Sequence, residues 1–274
     1  MNRFMLRLNA ALGWSVERAA RLGHVATGVT YVAVGIVAFL AAFDSRSQAM
    51  GSDGALRYIF AGEGGRIVLL ALAVGFASDF LWQIIRSVTN ADEAPAGVKG
   101  IADRIGWAIS GCIHLGLAVT AVRLALDVPQ ATGERQAQTA TAVAMTDPLG
   151  QCGLIVTGTV IILVALQMFY RAYIGDLDRW LELQSLHRLL RATVMALGRF
   201  GLAARGVVFC VGGAILIAAA IQRDPWQVRA LGGTLQAIGD ASLGPPLLAM
   251  VALGFVAFGV VELLSASYRR INIQ

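Results

Sequence analysis

The amino-acid sequence predicts an all-α, polytopic membrane protein in which six transmembrane helices form three tandem helix-hairpin repeats with pseudo-threefold symmetry. Of its 274 residues, 57% are hydrophobic and only 14% are charged, whereas a soluble globular domain carries roughly 25% charged residues. The charges lie between long uncharged runs, and a pattern of arginine and glycine recurs three times. We therefore expect a single membrane domain over residues 1–274.

Six apolar runs are long enough to cross a bilayer, which requires about 20 mostly apolar residues in a helix. The first run begins after 23 residues and is itself 20 residues long, whereas the apolar part of a signal peptide has roughly 7–15 residues. We therefore expect it to remain as an uncleaved first helix. The six predicted spans are residues 24–43, 67–86, 106–126, 153–173, 201–221 and 246–266.

The basic residues indicate how the spans are oriented. Of the 22 lysines and arginines, 15 lie in the N-terminal arm, the second and fourth connections and the C-terminus, and 7 lie in the other connections. The positive-inside rule therefore predicts that both termini are cytoplasmic. A single lysine, Lys99, among many alanines, glycines and arginines is typical of a GC-rich bacterial genome. We expect a multi-pass protein of the bacterial inner membrane.

The net charge of +5 does not indicate nucleic-acid binding. The arginines lie at the ends of apolar runs, whereas a nucleic-acid-binding surface presents one continuous basic face. The lipid bilayer is therefore the expected partner.

A further helix is predicted in the fourth connection, over residues 176–197. Apolar residues such as Trp180 and Leu197 recur there at helical spacing, with charged residues such as Arg188 between them. A helix of this kind lies on the membrane surface. We expect it on the cytoplasmic face, with His187 exposed to solvent or headgroups rather than bound to a ligand.

Self-similarity divides the chain into three repeats. An Arg-x-Gly motif precedes each odd-numbered span, and a second glycine stands seven residues after each arginine. The predicted units are repeat one at 16–90, repeat two at 100–173 and repeat three at 198–271. The repeated residues are Arg21, Gly23, Gly28, Arg104, Gly106, Gly111, Arg199, Gly201 and Gly206.

Two spans per repeat make the three copies parallel, so we expect them to surround an axis along the membrane normal. Small residues keep one face of a helix bare and let neighbouring backbones approach closely. An arginine at the start of a span can reach the headgroup phosphates and fix its depth. Anchoring and packing are therefore the first interpretation of the repeated residues, and a direct role in a ligand site is the alternative.

Each even-numbered span opens on a glycine and follows a short, semi-apolar segment. These segments are predicted to be either short helices at the outer surface or shallow re-entrant turns, and they cover residues 55–60, 142–145 and 235–238. The residue after the opening glycine is not repeated, which argues against a role that needs a basic residue at all three positions: it is Arg66, then Gln151, then Pro245.

Several of these features together resemble a known family: Arg-x-Gly at three span starts, the run Ala203-Ala204-Arg205-Gly206, and the closing run Ala266-Ser267-Tyr268-Arg269-Arg270. The resemblance is to the bacterial membrane family catalogued as domain of unknown function 1206, and it covers about residues 16–271. It implies a six-helix, three-repeat architecture and no established activity.

Catalytic and metal-binding signatures are missing from the sequence. It contains no HExxH, Gly-x-Ser-x-Gly, Walker or dinucleotide-binding motif, and no cysteine or histidine spacing typical of a metal site. His24 is expected near the cytoplasmic edge and His114 near mid-membrane, so they do not offer two haem ligands at one level. We expect a protein that is not an enzyme and that has no cofactor or bound metal.

Polar residues within the spans are the candidates for a functional site, because an ionisable side chain is costly inside a membrane. They are Asp79, His114, Arg205, Gln167 and Glu262.

Asp79 is the sharpest of these candidates. The other repeats have Val164 and Phe258 at its position, so the repeat pattern does not require a carboxylate. Asp79 and Arg205 are each predicted to lie roughly 9–10 Å from the cytoplasmic end of their helix, at 1.5 Å per residue. Because they carry opposite charges, we hypothesise an ion pair between them. The alternative is that each faces water or headgroups separately.

The other candidates predict different contacts. His114 aligns with Tyr31 and Phe209, so it is either a packed ring or a titrating proton relay. Gln167 is expected to form a hydrogen bond across helices. Glu262 lies close to the inner interface, where the arginines of the C-terminal tail could pair with it.

Three classes of function remain open. Three parallel hairpins around an axis favour a central path for a small solute or ion, by architectural analogy alone. The alternative is a non-catalytic scaffold or accessory subunit that docks an unknown membrane protein on the surface helix 176–197. A lipid-modifying enzyme is the least expected class. A transporter should line its axis with polar residues, whereas a scaffold should pack its axis shut.

Overall fold

The computed structural model describes residues 3–44, 48–60, 62–89, 97–174 and 187–268, and within these ranges the chain is helical and contains no strand. Three short helices are α2 (Ser52–Ile59), α5 (Gly133–Ala144) and α8 (Leu231–Gly239). The long helices are α1 (Arg3–Phe43), α3 (Glu63–Thr89), α4 (Val98–Ala125), α6 (Pro148–Ile174), α7 (Arg188–Gln222) and α9 (Gly244–Tyr268).

Each long helix contains a segment that is long and apolar enough to cross a membrane. Every predicted span falls within one of them, apart from Leu126, which caps the C-terminus of α4. The predicted fold class is therefore confirmed, and the chain is a multi-pass, all-α membrane protein. The segments are Arg21–Phe43, Gly64–Thr89, Asp103–Ala125, Pro148–Ile174, Arg188–Gln222 and Gly244–Ser267.

The surface helix predicted at 176–197 is not a separate element where the structure describes it. Residues 175–186 lie outside the described residues, and from Arg188 onward the chain forms the first turns of α7, which continues unbroken through the fifth span. His187 is exposed, and its Nδ1 accepts a hydrogen bond from the backbone N–H of Leu189 at 3.4 Å. No proline interrupts the chain between this cap and the span, so the helical spacing of the connection runs straight into the membrane.

The three short helices, which we call the lid, meet at one end of the bundle, the lid end. Asp53 Oδ2 in α2 accepts from the Gly133 N–H at the start of α5, at 3.0 Å. Glu134 Oε2 in α5 accepts from the Ala230 N–H just before α8, at 2.9 Å. Gln236 Oε1 in α8 accepts from the Ala49 N–H before α2, at 3.0 Å. The predicted outer segments are therefore helices, and a closed cycle of side-chain acceptors joins them.

Apolar side chains fill the bundle beneath the lid. One buried cluster runs from α8 into α1, α7 and α9, and it includes Leu235, Val34, Val208 and Phe255. Leu235 and Phe255 are among the largest fully buried side chains of the described residues. The lid is therefore continuous with the core of repeats one and three.

The most extensive helix contacts join successive repeats rather than the two spans of one repeat. These contacts are α3 with α4, α6 with α7, and α9 with α1. Within repeats the contacts are smaller, and they occur between α1 and α3 and between α7 and α9. Packed neighbours therefore follow one another in the order α4, α3, α1, α9, α7, α6.

Repeat two is splayed, because α4 and α6 do not pack against each other as the spans of repeats one and three do. A Cβ added to Gly23 would lie 2.5 Å from Asp79 Cβ, and one added to Gly201 would lie 2.7 Å from Phe258 Cβ. Gly106 holds the same repeat position, yet a Cβ there would meet no atom of a described residue within 4 Å. The pseudo-threefold arrangement is thus open between α4 and α6.

Candidate functional site

A polar cluster lies inside the bundle where α1, α3 and α4 meet. Asp79 is the centre of this cluster, with 5% of the residue exposed. Its Oδ2 lies 3.1 Å from His114 Nδ1 on α4, and it accepts a hydrogen bond from Gln83 Nε2 at 3.2 Å. We call this set, with Ser110 and Thr27, the Asp79 cluster.

The ring of His114 joins three helices. Its Nδ1 lies 2.8 Å from the carbonyl oxygen of Ser110 as well as close to the carboxylate of Asp79. Both neighbours are acceptors, so Nδ1 carries a proton. Nε2 lies 3.4 Å from Thr27 Oγ1 on α1. The ring also lies over Phe76, with centroids 6.0 Å apart, so the predicted packing role and a polar role coexist in one side chain.

Gln83 leaves an acceptor unused inside the cluster. The residue is 8% exposed, and its Nε2 donates both to Asp79 and to Ser110 Oγ, the latter at 3.2 Å. Its Oε1 is buried and has no hydrogen-bond partner among the residues the structure describes. Buried polar groups are nearly always paired, so this orphaned acceptor is a candidate ligand atom for a cation or a water.

Two repeated glycines make room for the cluster. A Cβ on Gly23 of α1 would come within 2.7 Å of Asp79 Oδ1. A Cβ on Gly111 of α4 would come within 3.1 Å of Gln83 Cβ. These glycines therefore let α1 and α4 approach the polar face of α3, while in repeat three Gly201 packs against the Cβ and backbone of Phe258 and Gly206 packs against the ring of Phe169.

The predicted ion pair between Asp79 and Arg205 is wrong. Arg205 lies instead among three aromatic rings, with its Cζ 5.0 Å from the centroid of Tyr31, 5.6 Å from that of Phe209 and 4.4 Å from that of Phe258. A guanidinium over ring faces is held by cation–π attraction. Its Nε is buried and has no hydrogen-bond partner among the described residues.

A second ionisable pair lies between α1 and α9. His24 Nδ1 is 2.6 Å from Glu262 Oε2, and both side chains are mostly buried. Glu262 therefore has a partner that the sequence did not suggest, whereas Arg269 and Arg270, its predicted partners, lie outside the described residues. Glu262 occupies the position of Gln83 in repeat one, but Ser110, which Gln83 contacts, corresponds to Thr27 and not to His24, so the repeat register alone does not identify this pair.

Gln167 does not form the predicted bond across helices. It is exposed on α6 and makes no hydrogen bond with any described residue. Its repeat equivalent, Trp82 on α3, is buried with 4% of the residue exposed. The difference follows from the splayed repeat, because α6 packs on one neighbouring long helix where α3 packs on two.

The three repeated arginines each bind the C-terminal carbonyls of a neighbouring long helix. Arg21 Nη1 donates to the carbonyl of Ala266 in α9 at 3.0 Å. Arg104 Nε and Nη2 donate to the carbonyls of Ser87 and Val88 in α3, at 2.5 and 2.9 Å. Arg199 Nε donates to that of Ala172 in α6 at 2.7 Å. The sequence predicts that these arginines reach the headgroups, and it gives no sign of their carbonyl partners on neighbouring helices. We call the end where they lie the arginine end.

At the lid end, side chains at the start of two even-numbered spans bind the C-terminal carbonyls of the neighbouring odd-numbered spans. Arg66 Nε, at the start of α3, donates to the carbonyl of Ala125 at the end of α4. Gln151 Nε2, at the start of α6, donates to the carbonyl of Ala220 near the end of α7 at 2.7 Å. Ala125 and Ala220 are repeat equivalents, so a guanidinium in one repeat and an amide in the next cap the same carbonyl position. Pro245, the third member, has no side-chain donor.

No group of three or more metal-ligating side chains could hold a metal ion in the ranges 3–44, 48–60, 62–89, 97–174 and 187–268. The Asp79 cluster instead offers one carboxylate, one imidazole and one orphaned amide oxygen. Such groups can bind a proton or a small cation through oxygen ligands.

The sequence matches the family model described as Domain of Unknown Function (DUF1206) three times, at residues 22–90, 105–175 and 200–269. It is also 24% identical over 271 residues to the Uncharacterized protein YxxB of Bacillus subtilis (strain 168), covering 99% of this chain and 98% of the relative. No solved structure matches the chain significantly. Three matches in tandem correspond to the three helix-hairpin repeats, and the chain belongs to the DUF1206 family.

Proposed function

We propose that this protein translocates a small cation or proton, without catalysing a reaction, and that the Asp79 cluster is its binding site. One observation carries the proposal: the buried carboxylate of Asp79, in a membrane span, lies 3.1 Å from an imidazole. At the position of Asp79 the other two repeats have Val164 and Phe258. A carboxylate at this depth costs stability. The architecture does not need it, so function is the best reason for it.

The surroundings of the cluster support binding of a positively charged species. The buried groups facing Asp79 are an imidazole and the amide of Gln83, whose Oε1 is unpaired. A cation or a protonated solute could be bound by the carboxylate and this amide oxygen together. Arg205 lies among aromatic rings, so it does not neutralise the Asp79 carboxylate in an ion pair.

Transport also needs access from both sides of the membrane. The cluster lies in the half of the bundle nearer the arginine end, and the lid closes the other end through three side-chain-to-backbone hydrogen bonds. We propose that these bonds open when the site exchanges its ligand with the lid side. Such bonds have net strengths of about 0.5–1.5 kcal/mol for the amide acceptor and about 1.5–3 kcal/mol for each of the two carboxylate acceptors, so they can be broken thermally.

We further propose that the arginine end faces the cytoplasm of a bacterial cell, in the inner membrane. The distribution of lysines and arginines supports this orientation, because 15 of the 22 belong to the segments at that end.

The test is ion flux into liposomes that contain the purified protein. A potassium gradient with valinomycin imposes a membrane potential, and entrapped dyes report protons or sodium. We expect flux of one of these ions above that of protein-free liposomes, and a return to background in Asp79→Val. Asp147→Asn, which removes an exposed carboxylate at the lid end, should retain the flux. Wild-type flux equal to that of empty liposomes, or full flux in Asp79→Val, contradicts the proposal.

A double variant keeps loss of function distinct from loss of fold. Asp79→Val with His114→Phe gives repeat one and repeat two the residue types of Val164 and Phe209. Replacing a buried polar pair by apolar residues is often neutral or stabilising, so we expect its unfolding midpoint in detergent to match or exceed wild type while flux is lost. Unfolding of this variant at room temperature would mean that the pair is structural.

A second candidate function is that of a membrane scaffold, and the splayed repeat favours it. The uncovered faces of α4 and α6 expose large apolar residues that include Ile109 and Val160. We expect a photo-crosslinking residue at Val160 to trap a membrane protein in stoichiometric amount if this function is correct. Crosslinks to lipid alone would count against it.

A further inference from the structure

A cavity of about 360 Å³ lies at the lid end, apart from the Asp79 cluster. It lies where α2 ends, α3 begins and α4 ends. Its polar lining residues are Arg57, Arg66, Asp127 and Gln130, and its apolar lining is formed by Phe60, Leu69, Leu124 and Val128. This volume is within the range of small-molecule sites, roughly 300–1,000 Å³.

The positive charge of Arg66 in this cavity is not needed for the helix cap that the same side chain forms. Arg66 uses its Nε to bind the Ala125 carbonyl, and Gln151 makes the equivalent bond in repeat two with a neutral amide. The cap therefore needs a donor but not a charge. The guanidinium of Arg66 also carries two Nη groups, and these remain available to the cavity.

Arg57 adds a second positive charge to the cavity lining. It makes no ion pair or hydrogen bond with any described residue. Its repeat equivalents are Ala142 and Gln236, so a basic residue at this position is particular to repeat one. Asp127 is the one carboxylate among the described lining residues. These described residues, with two guanidiniums and one carboxylate, give the lining a net positive charge.

We propose that this cavity binds a phosphate group attached to, or accompanied by, an apolar moiety. Arginine is the preferred partner of phosphate, because its planar donors match the phosphate oxygens and the resulting hydrogen bonds are charge-assisted. The apolar walls of Phe60, Leu69, Leu124 and Val128 accommodate the rest of the molecule. A lipid headgroup and a free organic phosphate share this chemistry, and the experiment distinguishes them.

Binding is measured as the ligand-dependent rise of the unfolding midpoint of the full-length protein in a neutral detergent. The probes are inorganic phosphate and dihexanoyl phosphatidylglycerol, each titrated alone. We expect a saturable rise with at least one of them. In Arg57→Gln and in Arg66→Gln, the half-saturating concentration should increase roughly tenfold, as expected for loss of one charge-assisted hydrogen bond.

The variants separate binding from folding. Arg66→Gln keeps the donor that Gln151 uses in repeat two, and Arg57 makes no structural bond, so both variants should unfold at the wild-type midpoint without ligand. Arg135→Gln removes an exposed guanidinium at the lid end outside the cavity, and it should bind like wild type.

A shift with inorganic phosphate identifies a free anion as the ligand source, and a shift with the lipid alone identifies a headgroup. The proposal is overturned if neither probe gives a saturable shift, or if Arg135→Gln weakens binding as much as Arg57→Gln does.

Discussion

A carboxylate buried in a membrane depends on the residues that give it room. Asp79 packs directly against the backbone of Gly23. The space for it on α1 therefore exists only while position 23 has no side chain. The contact to His114 then fixes the carboxylate between α3 and α4. At the residue scale, the site is therefore formed by a glycine as much as by its charged groups.

Substituting this glycine should disturb the cluster. We expect Gly23→Ala to lower the free energy of unfolding by about 1–3 kcal/mol, because the new Cβ would lie 2.5 Å from Asp79 Cβ and push the carboxylate away from His114. Thermal unfolding in detergent measures the change.

Gly106→Ala is the matched control, since Gly106 has the same repeat position in α4 and open space around it. Alanine favours a helix over glycine by about 1 kcal/mol, so the control should be neutral or slightly stabilising. Equal losses in the two variants would contradict this description of the site.

At the scale of elements, the structural pair is not the hairpin of one repeat. It is an even-numbered span with the odd-numbered span of the next repeat, or of the first repeat in the case of α9, and in two of the three pairs the helices cap each other. In α6 and α7, Arg199 binds the end of α6 and Gln151 binds the end of α7. The last carbonyls of a helix have no partner within it, so the pairs α3–α4 and α6–α7 bind some of these carbonyls at both ends, whereas the pair α9–α1 does so only through Arg21.

Removing one of these side-chain caps should lower the stability of the protein measurably. We expect Gln151→Ala to lower the free energy of unfolding by about 1 kcal/mol, because the carbonyl of Ala220 loses its side-chain donor. Gln151→Arg should restore stability, since Arg66 makes the equivalent bond in repeat one.

Gln167→Ala provides the comparison on the same helix, where the glutamine is exposed and makes no bond with a described residue. It should leave the unfolding midpoint unchanged. A loss as large as that of Gln151→Ala would show that the cap contributes nothing specific.

At the scale of the whole molecule, the three repeats depart from symmetry at one place. Repeats one and three close tightly around Gly75 and Gly254, whose added Cβ atoms would lie 2.7 Å from Ala26 Cβ and 2.2 Å from Ala204 Cβ. Repeat two has Val160 at this position, and it is 49% exposed. A branched side chain there is compatible with the opening between α4 and α6.

This opening predicts opposite tolerance at equivalent positions. We expect Gly75→Val to lower the free energy of unfolding by about 1–3 kcal/mol through overpacking against α1. Val160→Leu should change it by less than about 0.5 kcal/mol, as an uncovered surface position does. If Val160→Leu destabilises the protein as strongly as Gly75→Val, then α6 packs on α4 in the membrane and the opening is absent.

The spans and repeats could be predicted because bilayer thickness sets helix length and the Arg-x-Gly motifs mark each copy. Asp79 could be identified as a candidate because it breaks the repeat. Its partner could not, since counting residues gives depth along a helix but not the direction a side chain faces. Asp79 faces α4 and meets His114, whereas Arg205 faces the rings of α1 and α9.

The opening in repeat two was also beyond the sequence. Gly106 obeys the motif as fully as Gly23 and Gly201 do, so the pattern predicts close packing that does not occur there. The arginine caps were missed for a related reason, because they depend on which helices become neighbours across repeats.

The pairing of α9 with α1 has a consequence for biosynthesis. α3 can meet α4, and α6 can meet α7, as soon as the later helix leaves the ribosome. α1 is inserted first, yet the helix that covers Gly28 and Gly35 and receives the hydrogen bond of Arg21 is inserted last. This face of α1 therefore lacks its α9 partner through most of translation. The bundle can close only after the last span has been inserted.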